Sequence, residues 1–172
     1  MSIRNLLTNA RRTALKLRKT KMAASAWTVF NRAKNNLGLG NIDLSGDTFN
    51  MVLMTTTASA ALLTDISTRN SIGAYTVSQN GTDAKTALAS IVWTGTASTG
   101  AATRKWDTAD PVFTANTSAL GGVRYAVIYT SGASNGAEKL LCYAALSTTA
   151  FNVSVGNTLT VQMAAGGVFT LA

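Results

Sequence analysis

The sequence predicts an all-β fold, a β-sandwich or jelly-roll-like domain, preceded by a basic and partly helical N-terminal arm. Three observations lead to this prediction. From residue 41 onward, apolar and polar residues alternate in short segments, which is the period of a β-strand. Turn-forming residues separate these segments about every ten residues. Threonine, which favours strands, occurs 26 times among the 172 residues.

Positive charge is concentrated at the N-terminus. Nine lysines and arginines precede the first acidic residue, Asp43, whereas the rest of the chain holds six cations and seven acids. The formal net charge of +8 therefore comes almost entirely from the first 42 residues. We divide the chain into a basic N-terminal arm (residues 1–24), a short helix that packs on the body (25–40) and the β-sandwich domain (41–172).

Two helical pieces are predicted in the N-terminal region. Apolar residues recur at helical spacing after Ser2, with cations on the opposite face. Because nine like charges repel one another, we expect this first piece to become ordered only against a partner. The second helix is predicted to begin at Ser25, to use Trp27 and Phe30 as core anchors, and to end at the glycines of LGLG (37–40).

The body is predicted to consist of eight or nine short strands. TFNMVLM (48–54) and VRYAVIYT (123–130) alternate most clearly, and we expect Tyr125 and Tyr129 to pack within the sheet. Asn-Gly at 80–81 and VGNT at 155–158 predict tight turns. The stretch from 95 to 122 predicts a long exposed connection or a pair of edge strands.

The residue types needed for common catalytic and metal sites are scarce. The chain has no histidine, so neither a Ser-His-Asp nor a Cys-His arrangement can be built, and zinc sites of the usual kinds are excluded. Cys142 is the single cysteine, which excludes an intrachain disulfide, and we expect a buried and inert thiol. A Ser-Lys dyad stays open, although no spacing singles one out.

The acidic residues also point away from catalysis. Glu138 is the only glutamate and lies in a predicted loop. Asp43 and Asp47, in IDLSGD, are expected to shape the start of the first strand of the body. Asp107 and Asp110, in DTAD, are interpreted as solvated loop charges. We therefore predict a protein that is not an enzyme and that uses no cofactor and no metal.

Membrane partners are not expected. No run of residues approaches the 18 or more apolar residues of a membrane span. The basic N-terminus is not followed by the apolar stretch of a secretory signal.

A polycationic arm on a nearly neutral domain has three physical uses. It neutralises nucleic-acid phosphates, lies on an anionic membrane, or docks along an acidic protein surface. Leucines and alanines between the cations favour a shaped surface, and so a protein partner, while nucleic acid stays open as a second partner of the arm. The predicted partner-binding residues are Arg4, Arg11, Arg12, Lys16, Arg18, Lys19 and Lys21.

Several motifs of the body occur in a specific order. The first is GLGNIDLSGDTFNMVLMTTTASA (38–60), and the later ones are WDTADPVF, RYAVIY, LLCYAAL and VGNTLTVQMAAGGVFTL. Taken together they resemble small virion structural proteins of tailed bacteriophages, and residues 38–60 are similar to the opening of those proteins. The resemblance covers residues 25–172, leaves the arm without a counterpart, and implies a component of the virus particle.

Within that class we expect a capsid decoration or cement protein, located in the capsid of the virion. It would bind the shell of major capsid protein through its basic arm and its β-domain, and would also contact copies of itself as a homotrimer. Two alternatives stay open. One is an icosahedral virus coat protein whose arm binds the genome, and the other is a tail or head–tail connection component.

Overall fold

The computed structural model describes residues 19–55, 66, 68–94, 104–132 and 138–171. Within these residues the chain forms an all-β, sandwich-like domain with several sheets, which confirms the predicted fold class. One cluster of buried apolar side chains connects the sheets.

The described secondary structure consists almost entirely of strands. The strands are β1 (Lys19–Ala23), β2 (Thr28–Val29), β3 (Thr48–Thr55), β4 (Ser78–Gln79), β5 (Thr82–Asp83), β6 (Lys85–Ala87), β7 (Val92–Thr94), β8 (Arg104–Asp107), β9 (Val112–Thr114), β10 (Leu120–Ser131), β11 (Leu140–Ala145), β12 (Phe151–Val153), β13 (Thr158–Gln162) and β14 (Phe169–Leu171). The described helices are α1 (Asn31–Gly38) and a 3₁₀ helix (Arg69–Tyr75). Neither has the length and apolar character needed to cross a lipid bilayer.

The strands are arranged in three sheets and one hairpin. The largest sheet has the order β2–β11–β10–β3–β6, with β12 also paired to β10. A second sheet has the order β1–β13–β9, a third has the order β14–β8–β7, and β4 pairs with β5. β1 and β13 run parallel, so the first described strand lies beside one that is about 140 residues later in the sequence.

The two central strands of the largest sheet are buried on both faces. In β10, every residue from Ala126 to Thr130 is buried, and in β3 every residue from Met51 to Met54 is buried. Successive residues of a strand point to opposite faces, so both faces of this sheet must be covered. The alternation that predicted these strands identified only one of the two packed faces.

Different elements cover the two faces. Phe49 and Tyr129 point to opposite sides, because Tyr129 lies opposite Asn50, the residue after Phe49. The Phe49 ring contacts Trp106 of β8 with ring centroids 5.1 Å apart. The Tyr129 ring lies under the guanidinium of Arg69 in the 3₁₀ helix, 5.5 Å from its centroid. The central sheet is thus packed between β8 and the 3₁₀ helix.

Trp106 connects several elements of the core. Its side chain is fully buried, and its ring stacks on Phe169 of β14 at 5.5 Å. Its Nε1 donates to the carbonyl of Leu44 at 3.1 Å, and its own carbonyl accepts from the Val168 N–H at 2.9 Å. The region from 95 to 122 therefore contributes a central core residue and the middle strand β8, in addition to the edge strand β9.

The helix of the N-terminal region is shorter than predicted. It begins at Asn31, six residues after Ser25, because the preceding residues are held extended against β11. The N–H of Phe30 donates to the carbonyl of Leu141 at 3.1 Å, and Phe30 is buried, so its predicted role as a core anchor is confirmed. Gly40, with φ of 69°, follows the end of the helix as expected.

The two predicted turns are confirmed. Asn80 and Gly81 have φ of 52° and 79°, which is the geometry of a type I′ hairpin turn, and they connect β4 to β5. Gly156, in VGNT, has φ of 81° and lies in the turn between β12 and β13. The second Asn-Gly pair, at 135–136, lies outside the described residues.

We predict different stability effects for two Trp→Phe substitutions. Trp106→Phe removes the hydrogen bond to Leu44 and leaves that carbonyl without its donor, which should lower the free energy of unfolding by about 1–3 kcal/mol. Trp27→Phe removes a buried Nε1 that has no acceptor in the described part of the chain, so stability should change by less than about 0.5 kcal/mol or increase. Urea unfolding of both variants measures the difference, and equal losses would contradict the assignment.

Candidate functional site

Two of the predicted partner-binding residues belong to the part of the chain that the structure describes. Lys19 and Lys21 lie in β1, and both are exposed. The other five, Arg4, Arg11, Arg12, Lys16 and Arg18, lie outside the described residues, as does the first predicted helix. Lys19 and Lys21 form the C-terminal end of the predicted site, where the arm joins the body.

The last residues of the predicted arm pair with the sheets. β1 pairs with β13 over five residues, from Lys19 opposite Thr158 to Ala23 opposite Gln162. Ser25 then reaches the other sheet, since its N–H donates to the carbonyl of Ala145 at 2.9 Å and its Oγ accepts from the Ala145 N–H at 3.0 Å. Residues 19–24 of the predicted arm thus hydrogen-bond to the sheets, while the division of the chain at residue 24 stays a prediction.

The outer face of the β1–β13–β9 sheet is polar with a basic edge. The register aligns Lys19 with Thr158 and Lys21 with Thr160, and the rows continue into β9 at Thr114 and Val112. Lys19, Lys21 and Thr114 are exposed, and Val112 is 48% exposed. The opposite face points inward, where Leu159 and Val161 of β13 are buried and Met22 of β1 packs on the core. The packing of these inward-facing residues therefore holds Lys19 and Lys21 on the outer face of the sheet.

The Asp43–Asp47 loop has the structural role predicted for it. The Asp43 carboxylate accepts from the Ser45 N–H at 2.9 Å and from the Ser45 hydroxyl at 2.7 Å. The Asp47 carboxylate in turn accepts from the Asp43 N–H at 2.9 Å. The hydrogen bond from the Ser45 hydroxyl, followed by those from the Ser45 and Gly46 N–H groups, lowers the pKa of Asp43 below its ordinary value. This loop leads into β3.

Two further aspartates, interpreted from the sequence as solvated loop charges, have specific partners. Asp107 pairs with the Lys105 ammonium at 2.8 Å, and its Oδ1 accepts from the Thr108 N–H at 2.9 Å. Asp110 accepts from the Met163 N–H at 2.8 Å, which ties the segment before β9 to the end of β13. Both carboxylates thus support the architecture.

A charged cleft that the sequence did not indicate lies beside the 3₁₀ helix. Its volume is 290 Å³, and its charged lining residues are Arg69, Asp83, Lys85 and Glu138. Arg69 is only 7% exposed and forms an ion pair with Asp83. Asp83 also accepts from the Thr76 hydroxyl at 2.5 Å. Because its carboxylate neutralises the buried guanidinium, we assign this pair the structural role of holding the 3₁₀ helix to β5.

No sequence signal marks Arg69 as buried. An arginine between threonine and asparagine has the composition of an exposed loop, and its partner lies 14 residues away in the sequence. Its burial follows from the position of Tyr129 on the covered face of the central sheet, which only the tertiary fold defines.

The predicted burial of Cys142 is confirmed. Its side chain is fully buried in β11, and burial raises the pKa of the thiol well above the ordinary value. The thiolate that would act as a nucleophile or metal ligand is therefore disfavoured. Among the described residues, no group of three or more histidines, cysteines, aspartates or glutamates lies close enough together to hold a metal ion.

Comparisons with known proteins returned no protein-family model, no curated protein and no solved structure that matches this chain.

We predict that the Asp43 loop contributes a pH-dependent part of the stability. A carboxyl group with a lowered pKa in the folded state stabilises the fold above its unfolded pKa, and this contribution is lost as the pH falls through the folded-state pKa. Asp43→Asn should therefore lower the urea midpoint at pH about 7. Below pH about 4, the urea midpoints of the variant and the unchanged protein should become more similar.

Ser45→Ala provides the control for this prediction. Since the Ser45 hydroxyl is the largest cause of the lowered value, its removal should raise the pKa of Asp43 toward 3.8. An NMR titration of the carboxyl carbon measures this shift. An unchanged pKa in Ser45→Ala would contradict the hydrogen-bond assignment.

Two truncations test where the body begins. Removing residues 1–18 leaves β1 intact and should change the unfolding free energy by less than about 1 kcal/mol. Removing residues 1–24 also deletes the pairing with β13 and the packing of Met22, which should cost about 2 kcal/mol or more. Equal thermal stability of the two truncated proteins would support the boundary at residue 24.

Proposed function

We propose that this protein is a structural component of a virus particle, a capsid decoration or cement protein that binds the shell of major capsid protein. Its basic N-terminal arm and the adjoining edge of the β-domain form the binding surface. Three copies assemble as a symmetric homotrimer. The observation that carries the proposal is the direct connection between the charged arm and a strand of the rigid domain.

The charge distribution supports this role. Seven cations and no acid occur between Arg4 and Lys21, and the last two cations are held on β1. No flexible linker separates β1 from the body, because the strand pairs with β13 from Lys19 onward. A polyanionic partner that binds the arm is therefore held next to the folded domain.

The length of the arm suits a protein that ties neighbouring subunits together. Eighteen residues precede β1, and a fully extended segment of that length spans at most about 60 Å. One subunit could then contact two neighbouring shell proteins at once, with the second contact strengthened by effective concentration. Such bridging is the physical requirement for a cement protein.

The use of carboxylates in the body supports binding over catalysis. Five described aspartates accept hydrogen bonds from neighbouring residues or form ion pairs with them. They are Asp43, Asp47, Asp83, Asp107 and Asp110. Groups occupied in this way hold loops and strands in place. The resemblance to small virion structural proteins, carried by motifs across residues 25–172, points to the same class.

Neutralising the arm tests the proposal in the full-length chain. A variant with Arg4, Arg11, Arg12, Lys16 and Arg18 changed to glutamine should lose about 10-fold or more in affinity for virus heads that lack this protein, because five positive charges are removed. Cosedimentation with purified heads measures the affinity, and quantitative gels of complete particles give the copy number.

The matched control changes Arg32, Lys34 and Lys85, which are exposed cations of the body, to glutamine. This variant should bind heads nearly as well as the unchanged protein. Normal decoration by the arm variant would contradict the proposal. Self-assembly into shells with copurifying nucleic acid would instead identify a coat protein with a genome-binding arm.

A further inference from the structure

One side of β1 carries backbone groups that pair with no strand among the described residues. The N–H and C=O groups of successive residues in a strand point to alternate edges. The Ala24 N–H donates to the carbonyl of Gln162, so Thr20 and Met22, at the same parity, face β13. The N–H and C=O groups of Lys19, Lys21 and Ala23 therefore point to the other edge. Within the described ranges, no strand pairs with β1 on that edge.

The same edge carries two fixed positive charges. The Lys19 and Lys21 side chains project from the outer face, separated by Thr20, which is turned inward. Neither lysine forms a salt bridge in the part of the chain that the structure describes. At both Lys19 and Lys21, an incoming strand would meet backbone hydrogen-bonding groups together with an ammonium group.

These charges disfavour a second copy of β1 as the occupant. In the antiparallel register that pairs all five residues of β1, Lys21 lies directly opposite Lys21 of the other copy. Directly opposed side chains have Cβ atoms about 4.5–5.5 Å apart, so like charges there repel. A strand with carboxylates at alternate positions is instead attracted to these lysines. It places each acid beside a lysine, and its intervening residues point toward the inner face.

We infer that the open edge of β1 binds an extended acidic segment of a partner protein, which adds to the β1–β13–β9 sheet as a fourth strand. This inference rests on the proposed function and names the contact through which the shell protein would be recognised. Main-chain hydrogen bonds to Lys19, Lys21 and Ala23 supply the geometry of the complex. The two lysines select acidic residues spaced two apart, and their contribution falls as salt is added.

The test titrates the full-length protein with a fluorescein-labelled peptide, TEVEVET, and measures anisotropy. Amide exchange is then followed by NMR. Because the N–H groups of Lys19, Lys21 and Ala23 become paired, their exchange should slow about 10-fold or more in the complex. The N–H groups of Thr20 and Met22 already face β13 and should change little. An acidic peptide attracted only by the charge of the arm would not produce this alternation.

Two substitutions at one position separate charge from backbone pairing. Lys21→Gln removes the ammonium group alone and should weaken peptide binding about two- to five-fold. Lys21→Pro also removes an N–H on the open edge, where proline leaves the pairing with β13 intact, and should abolish binding. Lys85→Gln, on the edge strand β6 of the other sheet, should bind like the unchanged protein.

Three results would overturn the inference: no peptide binding, binding without alternating protection, or equal binding by Lys21→Pro and Lys21→Gln. The head-binding experiment on the neutralised arm is independent of these outcomes. If Lys21→Pro still binds heads while the neutralised arm does not, the edge inference fails and the proposed function stands. If neither variant loses head binding, the proposed function fails.

Discussion

The pairing of residues 19–30 with two of the three sheets is the constraint on which the arrangement of the domain depends. This segment hydrogen-bonds first along β13 and then along β11, through β1, Ser25 and β2. A single stretch of chain thus joins the β1–β13–β9 sheet to the largest sheet. Among the described residues the other side of β1 pairs with no strand, so the same pairing supports the fold and sets the position of its basic edge.

Aromatic packing fills the space that this pairing defines. Trp106 lies between Phe49 of the central sheet and Phe169 of the smaller one, and its Nε1 reaches back to the loop that precedes β3. The carboxylates of Asp43, Asp47, Asp83, Asp107 and Asp110 act at the periphery of the same framework, where they hold loops and strand ends in place. In a body with few charges, electrostatic groups are used mainly to hold the connections between strands.

The strands and turns could be predicted from local patterns, but their burial could not. Alternation in TFNMVLM identified β3, yet Val52 and Met54 are buried as completely as Met51 because another layer covers the second face. Trp106 and Arg69 lie in segments of loop-like composition, and their burial depends on residues distant in the sequence. In KTKMA (19–23), the alternation of lysine with inward-facing residues does indicate an edge strand. The many positive charges around it instead favoured its assignment to the basic arm.

The parallel pairing of β1 with β13 also determines when the basic edge comes into existence. Lys19 pairs with Thr158, so every residue up to Thr158 must be synthesised before the strand has its neighbour. Contacts this distant in sequence form late, since a long loop must close first. A nascent or prematurely terminated chain would carry the same lysines without a rigid edge to present them. The ordered basic edge therefore exists only in molecules that have already synthesised and folded β13.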